Sequence, residues 1–410
     1  MILLRNIKQI LTLSGVHQKD GRHLDLHDLS VINEGAIIFA GQTIKWVGQE
    51  RDLPANGIYD KVIDLQGAIL TPELVDSHTH LVFAGDRASE YAMKLNGVDY
   101  QEIAKSGGGI LASMKATRLA SEEELLALGR QRIQKAIAQG IGTIEIKSGY
   151  GLDYQSEKKI SEVISKLKTE FTPQVQIINT YMAAHAVPKD FKNADEYLDQ
   201  VVLPLMEELA QKKIIDIVDI FHEVGYFDKS HVERVFKKAY SLKLGLKTHA
   251  DEFNDNSGGE LAALYNALSS DHLLCAGPHS IKALAQSSTV ATLLPGTGFF
   301  LGKPQAPARA LIDAGAKVAI ASDYNPGSCH FHQLLFLAFL AAPNYKMNQA
   351  HTWAAITYNA AHALGLKNQG AIVPGFKARF SVFQAPSVDH ISYHWGDNLS
   401  KPHELAKLLE

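Results

Sequence analysis

The pattern of apolar and polar residues changes character near residue 68. Before it, apolar residues keep no helical period, and residues 35–40 and 44–48 predict two short strands joined by a glycine-containing loop. Beyond it, short apolar segments alternate with amphipathic stretches, as strands and helices do in a parallel sheet. Near the C-terminus, residues 370–383 alternate around a Pro-Gly turn and predict two further short strands.

The middle of the chain predicts about eight strands, each followed by a helix. Ser121 and Glu124 form a capping-box sequence that opens one of these helices. Another helix carries an apolar stripe at residues 160, 163, 164 and 167, with the spacing of a buried helical face. The predicted strands lie at residues 68–75, 143–146, 175–180 and 215–220, and near residues 246, 269, 291 and 318.

Eight strand and helix pairs predict an α/β fold, a (β/α)8 TIM-like barrel. We assign residues 67–368 to this barrel. Residues 1–66 and 369–410 are β-rich, and we expect both chain ends to form one small β-sandwich domain. No Ser/Gly-rich linker marks either boundary, which favours a barrel inserted into the small domain.

Composition and charge exclude several classes of partner. The 410 residues are 46% hydrophobic and 20% charged, with a formal net charge of −4 and no long block of like charge. This balance favours neither nucleic acid nor membrane surfaces as partners. The longest apolar run, residues 334–343, is far below the roughly 18–20 residues that span a bilayer. Two cysteines and no secretory leader pattern predict a cytoplasmic protein without a disulfide framework.

Polar residues that follow the predicted strands point to a metal site. His78 and His80 are two residues apart at the end of a strand, so their side chains face the same side. His249 and Asp323 also stand where apolar segments stop, and in a barrel these strand ends share one face. Imidazole nitrogen and carboxylate oxygen are ordinary ligands for zinc or another first-row metal. We therefore predict a metal held by His78, His80 and His249, with Asp323 as a fourth ligand, a proton acceptor, or both.

Two further polar residues are candidates for acid–base chemistry. His272 is placed to hydrogen-bond an activated water or a developing oxyanion, and Glu252 to contact a substrate nitrogen or carry a proton to the leaving group. Other roles remain open: His272 could orient a neighbour, Glu252 could be a surface carboxylate at a helix start, and Asp323 could cap a helix.

Residues after the first two strands suggest how a substrate is held. Arg87 follows the His-x-His loop, and its guanidinium suits a substrate carboxylate, although a surface arginine paired with Asp86 or Glu90 is the alternative. Tyr150 ends the second strand and could hydrogen-bond a substrate. Residues 105–110 form a glycine loop that we interpret as a mobile lid. Lys147 is interpreted as an ordinary lysine beside a single metal.

Together these residues resemble the amidohydrolase superfamily, which has His-x-His after strand one, histidines after strands five and six, and aspartate after strand eight. The β-rich chain ends are similar to the composite domain that many members carry. Within the superfamily, the chain resembles the members that open the imidazolone ring in histidine degradation. The matching blocks are residues 76–87, 107–110, 116–118, 144–151, 184–188, 249–253, 271–273, 293–296 and 322–328.

The resemblance implies hydrolysis of the ring C–N amide bond of 4-imidazolone-5-propanoate to N-formimidoyl-L-glutamate by a metal-activated water. It implies one zinc or iron ion per chain, a small-molecule substrate with a carboxylate, and a homodimer. It also implies that His272, Glu252 and Asp323 are catalytic. The residues that it implies contact the substrate are Arg87, Tyr150, His185, Glu252, Asn325, Gly327 and Ser328.

Four positions depart from the pattern of these relatives. We expect a glycine where Glu73 stands, leucine-glycine at Met182-Ala183, and a cysteine where His222 stands. His222 leaves open a further metal-binding nitrogen. Two alternative functions also remain: a deaminase of the same superfamily, which would release ammonia from a small heterocycle, and a metal-binding protein without turnover.

Overall fold

The small β domain is a mixed six-stranded sheet. The computed structural model describes residues 1–55, 57–98 and 108–401. β1 pairs antiparallel with β2, and β2 with β3, so the predicted hairpin at residues 35–48 is confirmed. β4 and β5 both run parallel to β1. The first five strands are β1 (Ile2–Leu11), β2 (Val31–Ala40), β3 (Thr43–Gln49), β4 (Lys61–Asp64) and β5 (Ile69–Pro72).

Eight parallel strands follow in chain order and form a second sheet, in which each strand pairs with the next. Its two ends meet where Thr79 bridges Tyr324 and His80 N–H donates to the Tyr324 carbonyl at 2.9 Å. The sheet therefore curves into the predicted barrel. Its strands are β6 (Leu74–Asp76), β7 (Ile141–Lys147), β8 (Gln176–Ala184), β9 (Ile217–His222), β10 (Gly245–Ala250), β11 (Ser269–His272), β12 (Val290–Leu293) and β13 (Val318–Ile320).

The C-terminal part of the chain returns to the small sheet. β14 (Phe380–Phe383) pairs antiparallel with β5. The prediction of two strands in residues 370–383 was wrong, since β14 is the one strand there. The preceding segment turns instead: Gly375 N–H donates to the Ile44 carbonyl and Phe376 N–H to the Val373 carbonyl. The fold class, an α/β barrel with a small β domain from both chain ends, is confirmed.

The single strand predicted at residues 68–75 was also wrong, because the chain changes sheets within it. Residues up to Pro72 pair in the small sheet, and the barrel strand begins at Leu74. Proline lacks the N–H that a continuous ladder needs. Between the two strands, the backbone N–H of Glu73 donates to the Arg379 carbonyl at 3.2 Å, which ties the crossover to the segment before β14.

Helices cover the outside of the barrel, and their apolar stripes form its outer core. The predicted capping box is present, with Ser121 accepting from Glu124 N–H, and Ile160, Val163, Ile164 and Leu167 are fully buried. Among the described residues, no helix is long and apolar enough to cross a membrane. The α-helices are Ser14–Gln18, Ala88–Leu95, Ile110–Leu119, Glu122–Ile137, Tyr154–Phe171, Ala194–Tyr197, Leu203–Gln211, Lys229–Ser241, Gly258–Leu264, Pro278–Ala285, Pro295–Leu301, Ala308–Ala314, Leu334–Ala341, Gln349–Ala355, Tyr358–His362 and Val388–Tyr393.

Candidate metal centre and active site

The predicted metal ligands lie together at the C-terminal end of the barrel. His78 and His80 directly follow β6, His249 lies within β10, and Asp323 follows β13. Parallel strands bring these ends to one rim, which is the catalytic face of such barrels. All four side chains are buried. The fold thus brings together residues that are up to 245 positions apart in the chain.

The spacing of their ligand atoms suits one metal ion. Nε2 of His80 lies 3.3 Å from Nε2 of His249, and Nε2 of His78 lies 3.5 Å from Oδ1 of Asp323. Two nitrogens bound at about 2.1 Å with a tetrahedral angle between them would be about 3.4 Å apart. His78, His80 and His249 each offer an atom within 4.8 Å of the others, as do His78, His272 and Asp323.

The protonation states and hydrogen-bond partners of the histidines also fit a metal site. Nε2 of His78 is buried and has no hydrogen-bond partner within the described part of the chain. Burial lowers the pKa of His78 and His80 well below the usual value, and neighbouring positive groups lower it further. Both imidazoles are therefore neutral at pH 7, which is the form that binds metal. The donor set of three imidazoles and a carboxylate fits a divalent first-row metal.

The three acid–base candidates lie around this centre. Nδ1 of His272 lies 3.6 Å from Oε2 of Glu252. Burial raises the pKa of Glu252 well above its usual value, and the charges of Asp323 and Glu223 act in the same direction. Burial also raises the pKa of Asp323 to about 6, although the Thr297 hydroxyl donates a hydrogen bond to its Oδ2 and opposes the rise. Glu252 is thus suited to give a proton, and Asp323 to accept one.

Arg87 lies next to the loop that follows Asp323, and its side chain is largely buried. Its Nε donates to Glu90 at 2.7 Å, and both side chains are mostly buried. Glu90 also accepts from the backbone N–H of Gly109 at 3.1 Å. A Cβ at Gly327 would collide with Arg87 Nη1, so the guanidinium lies against the loop that follows Asp323. The Arg87–Glu90 pair foreseen as an alternative is present, and the role of Arg87 as a substrate clamp stays a prediction.

Tyr150 and His185 lie against the His80 imidazole. The His185 ring stacks on His80 with centroids 5.1 Å apart, and Nδ1 of His185 lies 3.0 Å from the Gly149 carbonyl oxygen. The Tyr150 and His80 rings are 5.6 Å apart, edge to face. Burial raises the pKa of Tyr150, and the charges of Asp323 and Glu252 raise it further. Tyr150 therefore stays a neutral hydrogen-bond donor beside the metal site.

The loop after Asp323 is braced by Asn325. Its Oδ1 accepts from the N–H groups of Gly327 (2.8 Å) and Ser328 (2.7 Å). Its Nδ2 donates to the Asp323 carbonyl at 2.7 Å and to Ser328 Oγ at 2.9 Å. The Asn325 amide is thus occupied within the loop, and Gly327 of this loop lies against Arg87.

Two further expectations from the sequence concerned a metal-binding role for His222 and a lid formed by the glycine loop. Nδ1 of His222 lies 3.0 Å from the Phe227 carbonyl oxygen, and His222 is in none of the ligand clusters formed by the described residues. Half of the glycine loop at residues 105–110, expected to be a lid, lies outside the described residues, since residues 99–107 are not described.

A group of buried charges beneath the metal ligands was missed from the sequence. We call it the buried charge cluster; all its side chains are fully buried. Its signal was charged residues inside apolar strands, such as Lys247 in β10 and Asp219 in β9. Burial alone would lower the pKa of Lys147, but Asp219 and Glu145 outweigh it and raise that pKa. The cluster consists of Glu145, Lys147, Asp219, Lys247 and Asp271.

The barrel and the ligand set at its rim define a class of metal-dependent hydrolases. The family model described as "Amidohydrolase family" matches residues 69–403, and the chain belongs to this family. Over 404 residues it is 42% identical to the imidazolonepropionase of Bacillus velezensis, which spans 97% of this chain and 93% of the relative. This similarity confirms the resemblance drawn from the sequence blocks.

Solved structures with low sequence identity share the fold. A triazine hydrolase variant superimposes with a TM-score of 0.71 at 16% identity, covering 98% of this chain and 91% of the other. An adenosine deaminase from Xanthomonas campestris with bound zinc gives a TM-score of 0.68 at 16% identity, covering 98% and 90%. These likenesses support the barrel with its small β domain.

Proposed function

We propose that the chain hydrolyses the ring C–N amide bond of 4-imidazolone-5-propanoate to N-formimidoyl-L-glutamate in histidine catabolism. The observation that carries this proposal is the joint placement of the metal ligands and a mostly buried arginine at one barrel mouth. A small ring that bears a propanoate needs one cationic clamp and one metal. The 42% identity to an imidazolonepropionase over nearly the whole chain supports the same substrate.

One divalent ion, zinc or iron, would be held by His78, His80, His249 and Asp323. When bound, such an ion lowers the pKa of a water and polarises a carbonyl. The protein supplies neutral imidazoles in fixed positions, so that binding costs little reorganisation. The Thr297 hydroxyl occupies Oδ2 of Asp323 and leaves Oδ1 facing the imidazoles.

The side chains around this centre move protons in the proposed reaction. Asp323 also accepts the proton of the attacking water on Oδ1, in turn with its contact to the ion, and its pKa of about 6 leaves it ionised at neutral pH. His272 hydrogen-bonds the oxyanion that develops on the ring carbonyl. Glu252, whose pKa burial raises, gives a proton to the ring nitrogen as the C–N bond breaks. General acid–base steps of this kind contribute about 10²–10⁴-fold each.

Arg87 binds the propanoate carboxylate in this proposal. Its Nε is taken by Glu90, so the terminal Nη1 and Nη2 groups are the ones that address the substrate. Tyr150, His185, Gly327 and Ser328 line the remaining wall and contact the ring. Asn325 supports the wall through its bonds to residues 327 and 328. We also propose a cytoplasmic location and a homodimeric state.

The products formed in ¹⁸O-labelled water test this function. Purified, metal-replete protein should convert imidazolone propanoate to formimidoyl-glutamate with one ¹⁸O in the new carboxylate and no release of ammonia. Ring hydrolysis places the oxygen of water on the former ring carbonyl carbon. No turnover of imidazolone propanoate by metal-replete protein, together with stoichiometric ammonia from a small heterocycle that carries an exocyclic amine, would support the deaminase alternative and overturn the proposal.

A further inference from the structure

The buried charge cluster connects the metal ligands to two lysines in the barrel interior. Nδ1 of His78 lies 2.6 Å from Oδ2 of Asp271, and Nδ1 of His249 lies 3.0 Å from Oδ2 of Asp219. Each of these two imidazoles therefore has a carboxylate on the nitrogen that faces away from the ligand cluster. A metal-ligating histidine that is held in this way keeps its tautomer and its ring orientation.

The lysines in turn hold the carboxylates. Nζ of Lys147 lies 2.6 Å from Asp219 and 2.8 Å from Glu145. Nζ of Lys247 lies 3.1 Å from Asp271 and 2.9 Å from Glu145. Lys247 also donates to the carbonyl of Ser77, which directly precedes His78. Glu145 thus bridges the two ammonium groups, and the cluster joins strands β7, β9, β10 and β11.

Charge balance indicates what the lysines do. The cluster contains three carboxylates and two ammonium groups, which leaves one negative charge, and Asp323 adds a second beside the ligands. A divalent cation matches these two charges. Without the ammonium groups, the buried carboxylates would repel one another and turn away from the imidazoles, because a buried charge without a partner is strongly unfavourable.

We propose that Lys147 and Lys247 are positioning residues for the metal: they fix Asp219 and Asp271 against His249 and His78, so that both imidazoles direct Nε2 to the ion. This inference rests on the proposed function only for the presence of a metal. It concerns the affinity and geometry of the site and makes no claim about the substrate. It also gives Lys147 a role other than that of an ordinary lysine.

Metal affinity measured without substrate tests this proposal. Lys147→Met and Lys247→Met should each weaken Zn²⁺ binding about 10- to 100-fold in competition with a chromophoric chelator. The visible absorption spectrum of the Co²⁺ form should shift, since it reports ligand geometry. Lys317→Met is the matched control, because Lys317 is also buried and lies 2.7 Å from Asp20 at the opposite end of the barrel. Its affinity and Co²⁺ spectrum should match those of the parent.

The direction of the change in metal affinity distinguishes a positioning role of the lysines from simple charge repulsion between the lysines and the metal ion. If the lysines acted only as positive charges near the ion, their removal would strengthen metal binding. Unchanged or stronger binding in both lysine variants would overturn the proposal, as would an equal loss in Lys317→Met. Metal binding by the parent without any turnover would instead contradict the proposed function and leave this inference standing.

A double-variant cycle covers the case in which the lysine variants do not fold. Asp219→Asn should weaken Zn²⁺ binding about 10-fold or more, and adding Lys147→Met should change it by less than about threefold. The double variant removes both members of the pair, so it leaves no uncompensated charge from this pair. An Asp219→Asn variant with parental affinity, or a large further loss in the double variant, would show that Lys147 does not act through Asp219.

Discussion

At the residue scale, the contacts of Arg87 support its proposed role as a substrate clamp. An arginine that follows a metal-binding loop is equally compatible with a surface ion pair. In the structure, Glu90 takes only the Nε edge, and the guanidinium passes over Gly327, where a Cβ would collide with it. The pair therefore holds the guanidinium against the loop that follows Asp323.

We predict that Arg87→Ala raises KM for imidazolone propanoate by more than tenfold and leaves bound metal unchanged. The loss follows from the bidentate carboxylate contact that the guanidinium provides. Steady-state kinetics with metal analysis of the same samples measures both quantities. Arg130→Ala is a control, since Arg130 pairs with Glu170 in an exposed ion pair between two outer helices. Unaltered KM in Arg87→Ala would refute the carboxylate clamp.

At the element scale, the crossover between β5 and β6 is fixed by a buried ion pair. Glu73 accepts from Nε of Arg379 at 2.6 Å, from Thr143 Oγ1 at 2.8 Å and from Gln369 Nε2 at 3.0 Å. Its side chain is 2% exposed. A carboxylate therefore stands where the relatives lead us to expect glycine, and its bonds join the first barrel strand to the second and to the segment before β14.

We predict that Arg379→Met lowers the free energy of unfolding by about 3 kcal/mol, because it leaves the Glu73 carboxylate buried without its cation. Arg130→Met removes an exposed pair with Glu170, whose side chains are 44% and 41% exposed, and should cost less than about 1 kcal/mol. Urea unfolding of both variants provides the comparison. Equal, small losses would mean that the Glu73 pair contributes no more than a surface ion pair.

The sequence predicted the helices and strands better than the connections between them. Period-3.6 stripes such as the one at Ile160 and Leu167 identified helices, because one buried face fixes that spacing. The run 68–75 concealed a change of sheet, since both of its halves are apolar and buried. Likewise, the strand-end positions of the histidines predicted that they converge. Lys147 was interpreted as an ordinary lysine and Lys247 was not singled out, because the burial of a lysine depends on tertiary pairing. The division at residues 66 and 368 stays a prediction.

At the scale of the whole molecule, buried neutral histidines couple folding to pH. His362 packs near the N-terminal end of β13, where its Nδ1 lies 3.2 Å from Nζ of Lys317. Burial, followed by the Lys317 charge, lowers the pKa of His362 to about 4, while Asp20 opposes the shift. In the unfolded chain a histidine titrates near 6.5. Below that pH the unfolded state binds more protons than the folded state does.

We predict that the free energy of unfolding falls as the pH is lowered from about 6.5 to about 4, with His362 contributing about 2–3 kcal/mol of the loss. His362→Gln should therefore show a smaller drop between pH 7 and pH 4.5 than the parent. Urea titrations of metal-free protein measure this without a contribution from metal release. The exposed His394→Gln variant is the control. A drop of the same size in His362→Gln would disprove the linkage.

Metal-dependent opening of the imidazolone ring is tested most directly by a metal titration of turnover. Metal-free protein receives increasing Zn²⁺ or Fe²⁺, and loss of the ring's ultraviolet absorbance is followed with fresh imidazolone propanoate. We predict no turnover without metal and a linear rise to a plateau at one ion per chain. Full activity without metal, or no ring opening by metal-replete protein, would contradict the account.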